Sequence, residues 1–217
     1  MPPSINGPHT VTATDANGNS VSTPFTVNQF QNLIINPGFE NAGTWVPTAS
    51  NGATALIQDS SWKNSGTYSG KTSTTGGNTY AILSQTLSST AVSSVANSAG
   101  SLSGVLHLGA QASDGTYSVE LRIKTSDGNT LSYYWGSGSS PSDTTTTKYY
   151  YMGSVSNIGA STPFSVNLYQ DWLAKWSTGG TMQINQIQLV SNGYSHGNTD
   201  QGQSINWDDL QLLYTTP

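Results

Sequence analysis

Short runs of alternating apolar and polar residues follow one another along most of the chain, and turns rich in Gly, Asn, Ser and Asp separate them. In the clearest run, 117–125, apolar residues take every second position, which is the period of a half-buried strand. Such strands form antiparallel sheets that pack as sandwiches. We therefore predict an all-β fold, a two-sheet antiparallel β-sandwich of jelly-roll type. The predicted strands are 53–58, 68–72, 80–87, 102–112, 117–125, 131–135, 148–155, 164–168, 182–190 and 205–214.

One segment departs from this pattern. Trp172, Leu173 and Trp176 fall at helical spacing, which predicts a short helical turn near 169–176. We expect the two Trp side chains to pack this turn onto a sheet, because large aromatic rings gain most from burial. The alternation of strands and helices that a parallel sheet requires is absent.

Residues 1–30 carry a pattern of their own. Two alternating runs, 9–15 and 21–27, flank the turn at 16–19 and predict a β-hairpin. The stretch 9–20 resembles the closing hairpin of immunoglobulin-like repeats in large bacterial and archaeal surface proteins. A lone hairpin is marginal in water, so it is either a remnant of such a module or an extra edge hairpin of the main domain. The main domain is expected to cover 31–217.

The composition excludes several functions. Only 8% of the residues are charged, the formal net charge is -5, and six Lys and Arg are available. Nucleic acid and anionic membranes are therefore unsuitable partners. There is no cysteine, and no apolar run is long enough to span a membrane. The N-terminus lacks the features of a signal peptide, so we expect a piece of a longer protein that is secreted or displayed on the cell surface.

Two segments at opposite ends of the main domain carry carboxylates inside short apolar runs. The first run, 32–40, ends in Glu40, and the second, 205–212, contains Asp208 and Asp209. If both are strands that meet, the carboxylates cluster and repel one another unless a cation lies between them, and oxygen ligands favour Ca²⁺. The alternative is that Glu40 pairs with Lys71 while the two Asp residues cap a turn.

Four pieces of the sequence, in order, carry a family resemblance. They are Asn36-Pro37-Gly38-Phe39-Glu40 with Gly43-Thr44-Trp45, the Ser-Gly turn of 65–71, the strand 117–124, and Asp208-Asp209. Over about 31–217 the chain resembles the secreted β-sandwich carbohydrate-binding modules of the family 4, 9, 16 and 22 group. The resemblance implies a structural Ca²⁺ held by Glu40 and Asp208 or Asp209, with backbone carbonyls of 69–71 as further ligands.

A sugar-binding surface needs flat aromatic rings for stacking and fixed polar groups for hydrogen bonds. Glu120 and Arg122 share one face of the strand 117–125, and Gln186 and Gln188 share a face of the strand 182–190, so these four are candidates. The alternative for Glu120 and Arg122 is a surface pair that satisfies only itself. The candidate stacking rings are Trp62, Tyr134 and Tyr150, whereas Phe39 and Trp45 are expected in the core.

The resemblance implies a non-catalytic carbohydrate-binding module of a multimodular, secreted prokaryotic glycoside hydrolase. Its partners would be β-linked polysaccharides or oligosaccharides of β-glucan or xylan type and neighbouring modules of the same polypeptide. One alternative is a glycosidase or polysaccharide lyase on the same fold, with Glu120 and Asp171 as the available carboxylates. Another is a structural domain of a surface or adhesin protein.

Overall fold

The computed structural model describes residues 7–27, 30–50, 52–76, 79–92, 100–111, 118–136, 141–155, 158–176, 182–196 and 199–215. Strands dominate, and one helix is present among these residues. The elements are β1 Gly7–Thr14, β2 Ser20–Val27, β3 Phe30–Asn32, β4 Val46–Ala49, β5 Thr54–Asp59, β6 Ser69–Thr74, β7 Tyr80–Val92, β8 Ser101–Ala110, β9 Ser118–Thr125, β10 Thr130–Gly136, β11 Thr147–Gly153, β12 Ser161–Asn167, α1 Leu168–Trp176, β13 Met182–Asn192, β14 Tyr194–His196, β15 Thr199–Gln201 and β16 Gln203–Thr215.

Two sheets make up the main domain. Sheet I has the strand order β11-β10-β9-β13-β7-β4, and sheet II has the order β12-β8-β16-β6-β5, with β3 also paired to β16. The chain passes from one sheet to the other several times, as a jelly-roll sandwich requires. The predicted all-β sandwich is confirmed. Two short hairpins, β1–β2 and β14–β15, form separate two-stranded sheets.

One strand pair differs from the antiparallel arrangement that we predicted. Strands β10 and β11 run parallel, with Tyr133 opposite Tyr150. Parallel neighbours need a connection that returns the chain to the same end of the sheet, which the tight turn of an antiparallel hairpin cannot provide. This pairing fixes which tyrosines of β11 face outward.

The core lies between the two sheets, where apolar residues at every second strand position meet. Trp207 of β16 is fully buried, and its ring centroid lies 6.2 Å from that of Trp135 in an edge-on contact. The expectation that Phe39 and Trp45 belong to the core is confirmed, because both are buried and their rings stack with centroids 5.1 Å apart. Nonpolar area removed from water in this way is the main favourable term in folding.

The predicted helical turn is confirmed as α1. The side-chain oxygen of Asn167 accepts a hydrogen bond from the backbone N–H of Gln170 at 3.1 Å, which is the geometry of a helix N-cap. Trp172 is buried, and Trp176 stacks on it with ring centroids 4.1 Å apart. Both rings belong to or pack against the core, as expected. No helix in the described part of the chain has the length and hydrophobicity needed to cross a membrane.

The prediction that 32–40 forms a strand is wrong. β3 ends at Asn32, and Asn36 and Phe39 adopt positive φ angles of 55° and 58°. The Gln85 side chain bonds the backbone of Ile35 in place of a strand, donating to its carbonyl at 2.7 Å and accepting from its N–H at 2.8 Å. The physical reason is local, because the sequence Asn36-Pro37-Gly38 has turn chemistry.

Candidate functional site

Sheet I turns one side toward sheet II and the other away from it. Across this outer side, strand pairing sets Ser132 beside Arg122 and Arg122 beside Gln188. The row continues to Tyr149 on β11 and to Ser84 on β7. We call this outer side the Arg122 face. Its described members are Val46, Thr48, Tyr80, Ile82, Ser84, Thr86, Ser118, Glu120, Arg122, Lys124, Thr130, Ser132, Tyr134, Thr147, Tyr149, Tyr151, Gln186, Gln188, Val190 and Asn192.

Glu120 is the centre of a hydrogen-bond network on this face. Its carboxylate accepts from Arg122 Nε at 2.7 Å and Arg122 Nη2 at 3.0 Å. It also accepts from Ser132 Oγ and Asn192 Nδ2, both at 2.7 Å. The Glu120 side chain is only 3% exposed, whereas that of Arg122 is 26% exposed. The pair is therefore not a surface pair that satisfies only itself, because the acid is buried and bonded to two further side chains.

The charge of Arg122 is stabilised by this arrangement. Burial opposes the charged form, but the hydrogen bonds and the negative charge of Glu120 outweigh it and raise the Arg122 pKa above its usual range. Two N–H groups of the guanidinium are directed at Glu120. No further hydrogen bond of this guanidinium joins it to the residues that the structure describes, so its other N–H donors can bond a ligand or water. Arg122 is thus a fixed, charged donor at the surface.

Gln186 and Gln188 lie on the Arg122 face. Strand pairing places Gln188 next to Arg122 and Gln186 next to Lys124. Gln188 Nε2 donates to Gln186 Oε1 at 3.1 Å, and both side chains are half-buried. The two amides therefore hold each other in place on the Arg122 face, and toward the described residues each keeps donors and acceptors beyond this bond.

The predicted outward tyrosines need correction. Tyr134 lies on the Arg122 face, but it is only 4% exposed, with Tyr151 packed beside it at a centroid distance of 6.2 Å. The prediction that Tyr150 points outward is wrong. Its pairing with Tyr133 puts it on the inner side, where it packs against the core and donates to the backbone carbonyl of Asp171 at 3.2 Å. Tyr149 and Tyr151 are the outward rings of β11, and Tyr151 is 47% exposed.

Trp62 lies away from the Arg122 face. The loop between β5 and β6 folds over the outer side of sheet II and places the Trp62 ring on His107 of β8, with centroids 4.6 Å apart and planes 8° from parallel. Ser69 Oγ donates to the Trp62 carbonyl and holds the loop there. Burial lowers the pKa of His107, and its Nδ1 atom has no hydrogen-bond partner. One face of the Trp62 ring is therefore covered by protein.

The three candidate calcium ligands surround the same turn. Asp208 Oδ2 accepts from the backbone N–H groups of Asn64 and Ser65 at 2.7 and 3.0 Å, and its Oδ1 accepts from the Asp209 N–H at 2.8 Å. Glu40 Oε1 accepts from the N–H groups of Thr67 and Tyr68 at 2.8 and 3.0 Å. The turn 64–68 thus joins the two ends of the main domain through backbone donors. Lys71 pairs with Asp59 instead of Glu40, at 3.7 Å.

The carboxylates of this cluster differ in environment. Hydrogen bonds from the N–H groups of Tyr68 and Thr67 lower the pKa of exposed Glu40. Burial raises the pKa of Asp208 despite its bonds to Ser65 and Asn64. Within the described residues, no three Asp, Glu or His side chains converge as a metal-ligand set. Carboxylate oxygens are the ligand type that Ca²⁺ prefers, but in the described part of the chain these three carboxylates accept hydrogen bonds from the turn 64–68 and from Asp209 and do not converge on one point.

The second carboxylate available for catalysis, Asp171, lies on the other side of sheet I from Glu120. Its Oδ2 accepts from Tyr133 Oη at 2.8 Å, and Tyr133 points to the inner side, whereas Ser132, which donates to Glu120, points outward. Burial raises the pKa of Asp171, and burial together with the negative charge of Asp171 raises that of Tyr133. Glu120 and Asp171 therefore do not face one cleft.

The sequence did not identify four residues of the Arg122 face that either bond Glu120 or supply outward rings. Ser132 and Asn192 complete the shell around Glu120, and Tyr149 and Tyr151 supply the outward rings. The tyrosines could have been found from the strand period once the phase of β11 was known. Ser132 and Asn192 come from other strands, and no local sequence signal marks them.

No protein-family profile matches the sequence, and no curated protein matches it either. Some solved structures are similar in shape. One is a structure of carbohydrate-binding modules from the β-sandwich superfamily, with a TM-score of 0.44 and 15% identity over 98% of this chain and 75% of that one.

Two further similar structures are parts of enzymes. The enzymatically active domain of tailspike protein 4 of bacteriophage CBA120 has a TM-score of 0.47 and 14% identity, over 85% of this chain and 21% of that one. The xyloglucanase domain of a type three effector from Sinorhizobium fredii, in complex with cellobiose, has a TM-score of 0.37 and 12% identity, over 80% and 97%. Similarity at this level says nothing about what this chain binds.

The buried Asp208 carboxylate gives a first test. Asp208→Ala deprives three backbone N–H groups of their acceptor, and we expect it to lower the free energy of unfolding by about 3 kcal/mol or more. The matched control is Asp15→Ala, which also removes three accepted hydrogen bonds, but in an exposed hairpin turn where water replaces them. Urea unfolding followed by tryptophan fluorescence measures both. Equal stability of the two variants would contradict this role of Asp208.

Proposed function

We propose that this chain is a non-catalytic carbohydrate-binding module and that the Arg122 face binds its ligand. The observation that supports this most is the fixed Arg122 guanidinium, held by buried Glu120 beside the paired amides of Gln186 and Gln188. Sugar hydroxyls need donors and acceptors that are already oriented, because ordering them on binding costs free energy. The network around Glu120 meets this requirement before any ligand arrives.

Stacking surface is available on the same face. The exposed ring of Tyr151, with Tyr149 two residues before it on β11, would receive the apolar C–H side of a sugar ring. These rings replace Tyr150 and Trp62 in our proposed site, because Tyr150 faces the core and Trp62 lies on sheet II, with one face of its ring covered by His107. Tyr134 contributes behind Tyr151 as a packed support.

The proposal extends to the ligand class and to the protein that carries the module. A β-linked polysaccharide of β-glucan or xylan type would be the ligand, and the module would belong to a multimodular, secreted or cell-surface prokaryotic glycoside hydrolase. Binding the polysaccharide raises the effective concentration of a linked catalytic module at its substrate. The module itself would need no chemistry.

A glycosidase is less well supported. It needs two carboxylates across one cleft. Glu120 is buried and neutralised by Arg122, and Asp171 lies on the other side of the sheet. A structural domain of a surface protein would bind no glycan, so the binding experiment below separates it from the proposal.

A structural Ca²⁺ is part of the proposal. Glu40, Asp208 and Asp209 would hold it, and the ion would supply positive charge between acids near the two ends of the main domain. The Asp209 carboxylate, which accepts from Asn64 Nδ2 at 2.7 Å, would complete the set of oxygen ligands. Because the ion would bind only the folded chain, it would stabilise the sandwich by mass action.

Native affinity electrophoresis tests the binding proposal. We expect gels that contain a soluble β-glucan or xylan to retard the protein, and Tyr151→Ala to lose most of this retardation because the exposed ring stacks on sugar. Phe25→Ala is the matched control, since Phe25 is 44% exposed on the separate hairpin. Absence of retardation in every polysaccharide gel, with release of neither reducing sugar nor unsaturated products, would contradict the proposal. Measurable release would support an enzyme instead.

Removal of metal tests the calcium proposal. A chelator should lower the melting temperature, and added CaCl₂ should restore it. At a hundredfold excess of Ca²⁺ over its dissociation constant, the gain in the free energy of unfolding should be about 2.7 kcal/mol. Glu40→Gln keeps an oxygen for the Thr67 and Tyr68 N–H groups but loses the charge, so its response to CaCl₂ should be smaller. A melting curve that is identical with EDTA and with CaCl₂ would exclude a structural ion.

A further inference from the structure

The Arg122 face carries an excess of positive charge in an acidic chain. The formal net charge is -5, and only six Lys and Arg are present, yet two of these, Arg122 and Lys124, lie on this face. They occupy alternate positions of β9, so both side chains leave the sheet on the same side. Among the described residues of the face, Glu120 is the only carboxylate.

Glu120 cannot cancel the charge of both cations. It is buried, and both of its oxygens accept hydrogen bonds from Arg122, with Ser132 and Asn192 as further donors. Its single negative charge therefore compensates the positive charge of Arg122. Lys124 is half-buried and forms no ion pair with any residue that the structure describes.

Two acids near the ends of these strands form their contacts with other residues. Asp127, in the turn after β9, accepts hydrogen bonds from Thr125 and Asn129. Asp143, before β11, accepts from the Tyr149 N–H at 2.8 Å and pairs with Lys175 at 3.1 Å. Neither forms an ion pair with Lys124 or Arg122.

We infer that the Arg122 face selects a glycan with acidic substituents, such as uronate carboxylates, over a neutral glycan of the same backbone. Two strand positions span about 7 Å. Arg122 and Lys124 therefore occupy neighbouring positions on one face, so that a glycan bonded to Arg122 can carry an acidic group within reach of the Lys124 ammonium, while the amides of Gln186 and Gln188 bond neighbouring hydroxyls. This inference rests on the proposed function and names the ligand class for the same site.

The test uses one polymer in two chemical forms, glucuronoxylan and the same glucuronoxylan with its carboxyl groups reduced to alcohols. Isothermal titration at low salt should show about tenfold tighter binding to the acidic form, because charged hydrogen-bond partners contribute more than neutral ones. The difference should disappear at about 1 M NaCl, where the Debye length is about 3 Å.

Lys124→Gln should reduce the preference for the acidic form, measured as the ratio of the two dissociation constants, because it removes the cation that no described carboxylate pairs with. The matched control is Lys63→Gln, which changes the net charge equally but lies in the exposed loop over sheet II. If a variant fails to fold, the comparison of the two polymers with the unmodified protein still tests the inference. Equal binding of the two polymers would overturn this inference and leave the proposed function intact. If the protein binds neither polymer and no neutral β-glucan, that result would count against this inference and against the proposed function. A preference unchanged in Lys124→Gln would also overturn this inference.

Discussion

The charge of a carboxylate buried in the middle of a sheet must be compensated by neighbouring residues. Glu120 imposes this requirement on sheet I. β9 lies between β10 and β13, so the partners of Glu120 come from its own strand and from both neighbours: Arg122, Ser132 of β10 and Asn192 of β13. Removing one partner of a buried ion pair costs about 3–5 kcal/mol, since the other charge is then left uncompensated. This requirement holds the guanidinium in one orientation and fixes the polar groups of the candidate site before a ligand binds.

The outer sides of the two sheets differ in how far they are covered by loops. On sheet II, the loop after β5 covers part of the outer side, with Trp62 on His107 and the turn 64–68 bonded to Glu40 and Asp208. That loop joins segments distant in sequence and serves stability. On sheet I, the half of the outer side around Arg122 and Gln188 is partly exposed. In our proposal, stability and ligand binding thus depend on opposite sides of the sandwich.

The sequence predicted what depends on local period. Alternation along β9 correctly placed Glu120 and Arg122 together opposite Leu121, and helical spacing correctly predicted α1. The prediction failed where the side of the sheet that a residue faces depends on pairing with a neighbouring strand. Three consecutive tyrosines fit a strand in either phase, and the parallel pairing with β10 decides that Tyr150 faces the core.

Two other differences have separate physical causes. In 32–40 the turn chemistry of Asn36-Pro37-Gly38 outweighs the strand preference of the apolar residues and prevents the strand. The polar neighbours of Trp62 suggested an exposed ring, but the loop folds back onto sheet II, and no short-range pattern encodes that contact. Ser132 and Asn192 illustrate the same limit, because their role exists only once three strands are aligned.

The central claim is that ligand contacts the Arg122 face of sheet I. Side-chain NMR of isotope-labelled protein tests it directly, because Arg122 is the only arginine in the sequence and its Nε–H signal needs no separate assignment. On titration with a xylan oligosaccharide, the Arg122 Nε–H signal and the side-chain amide signals of Gln186 and Gln188 should shift together, and the indole N–H signal of Trp62 should stay in place. A shift of the Trp62 signal with the Arg122 signal unchanged would contradict the account and move the site to sheet II.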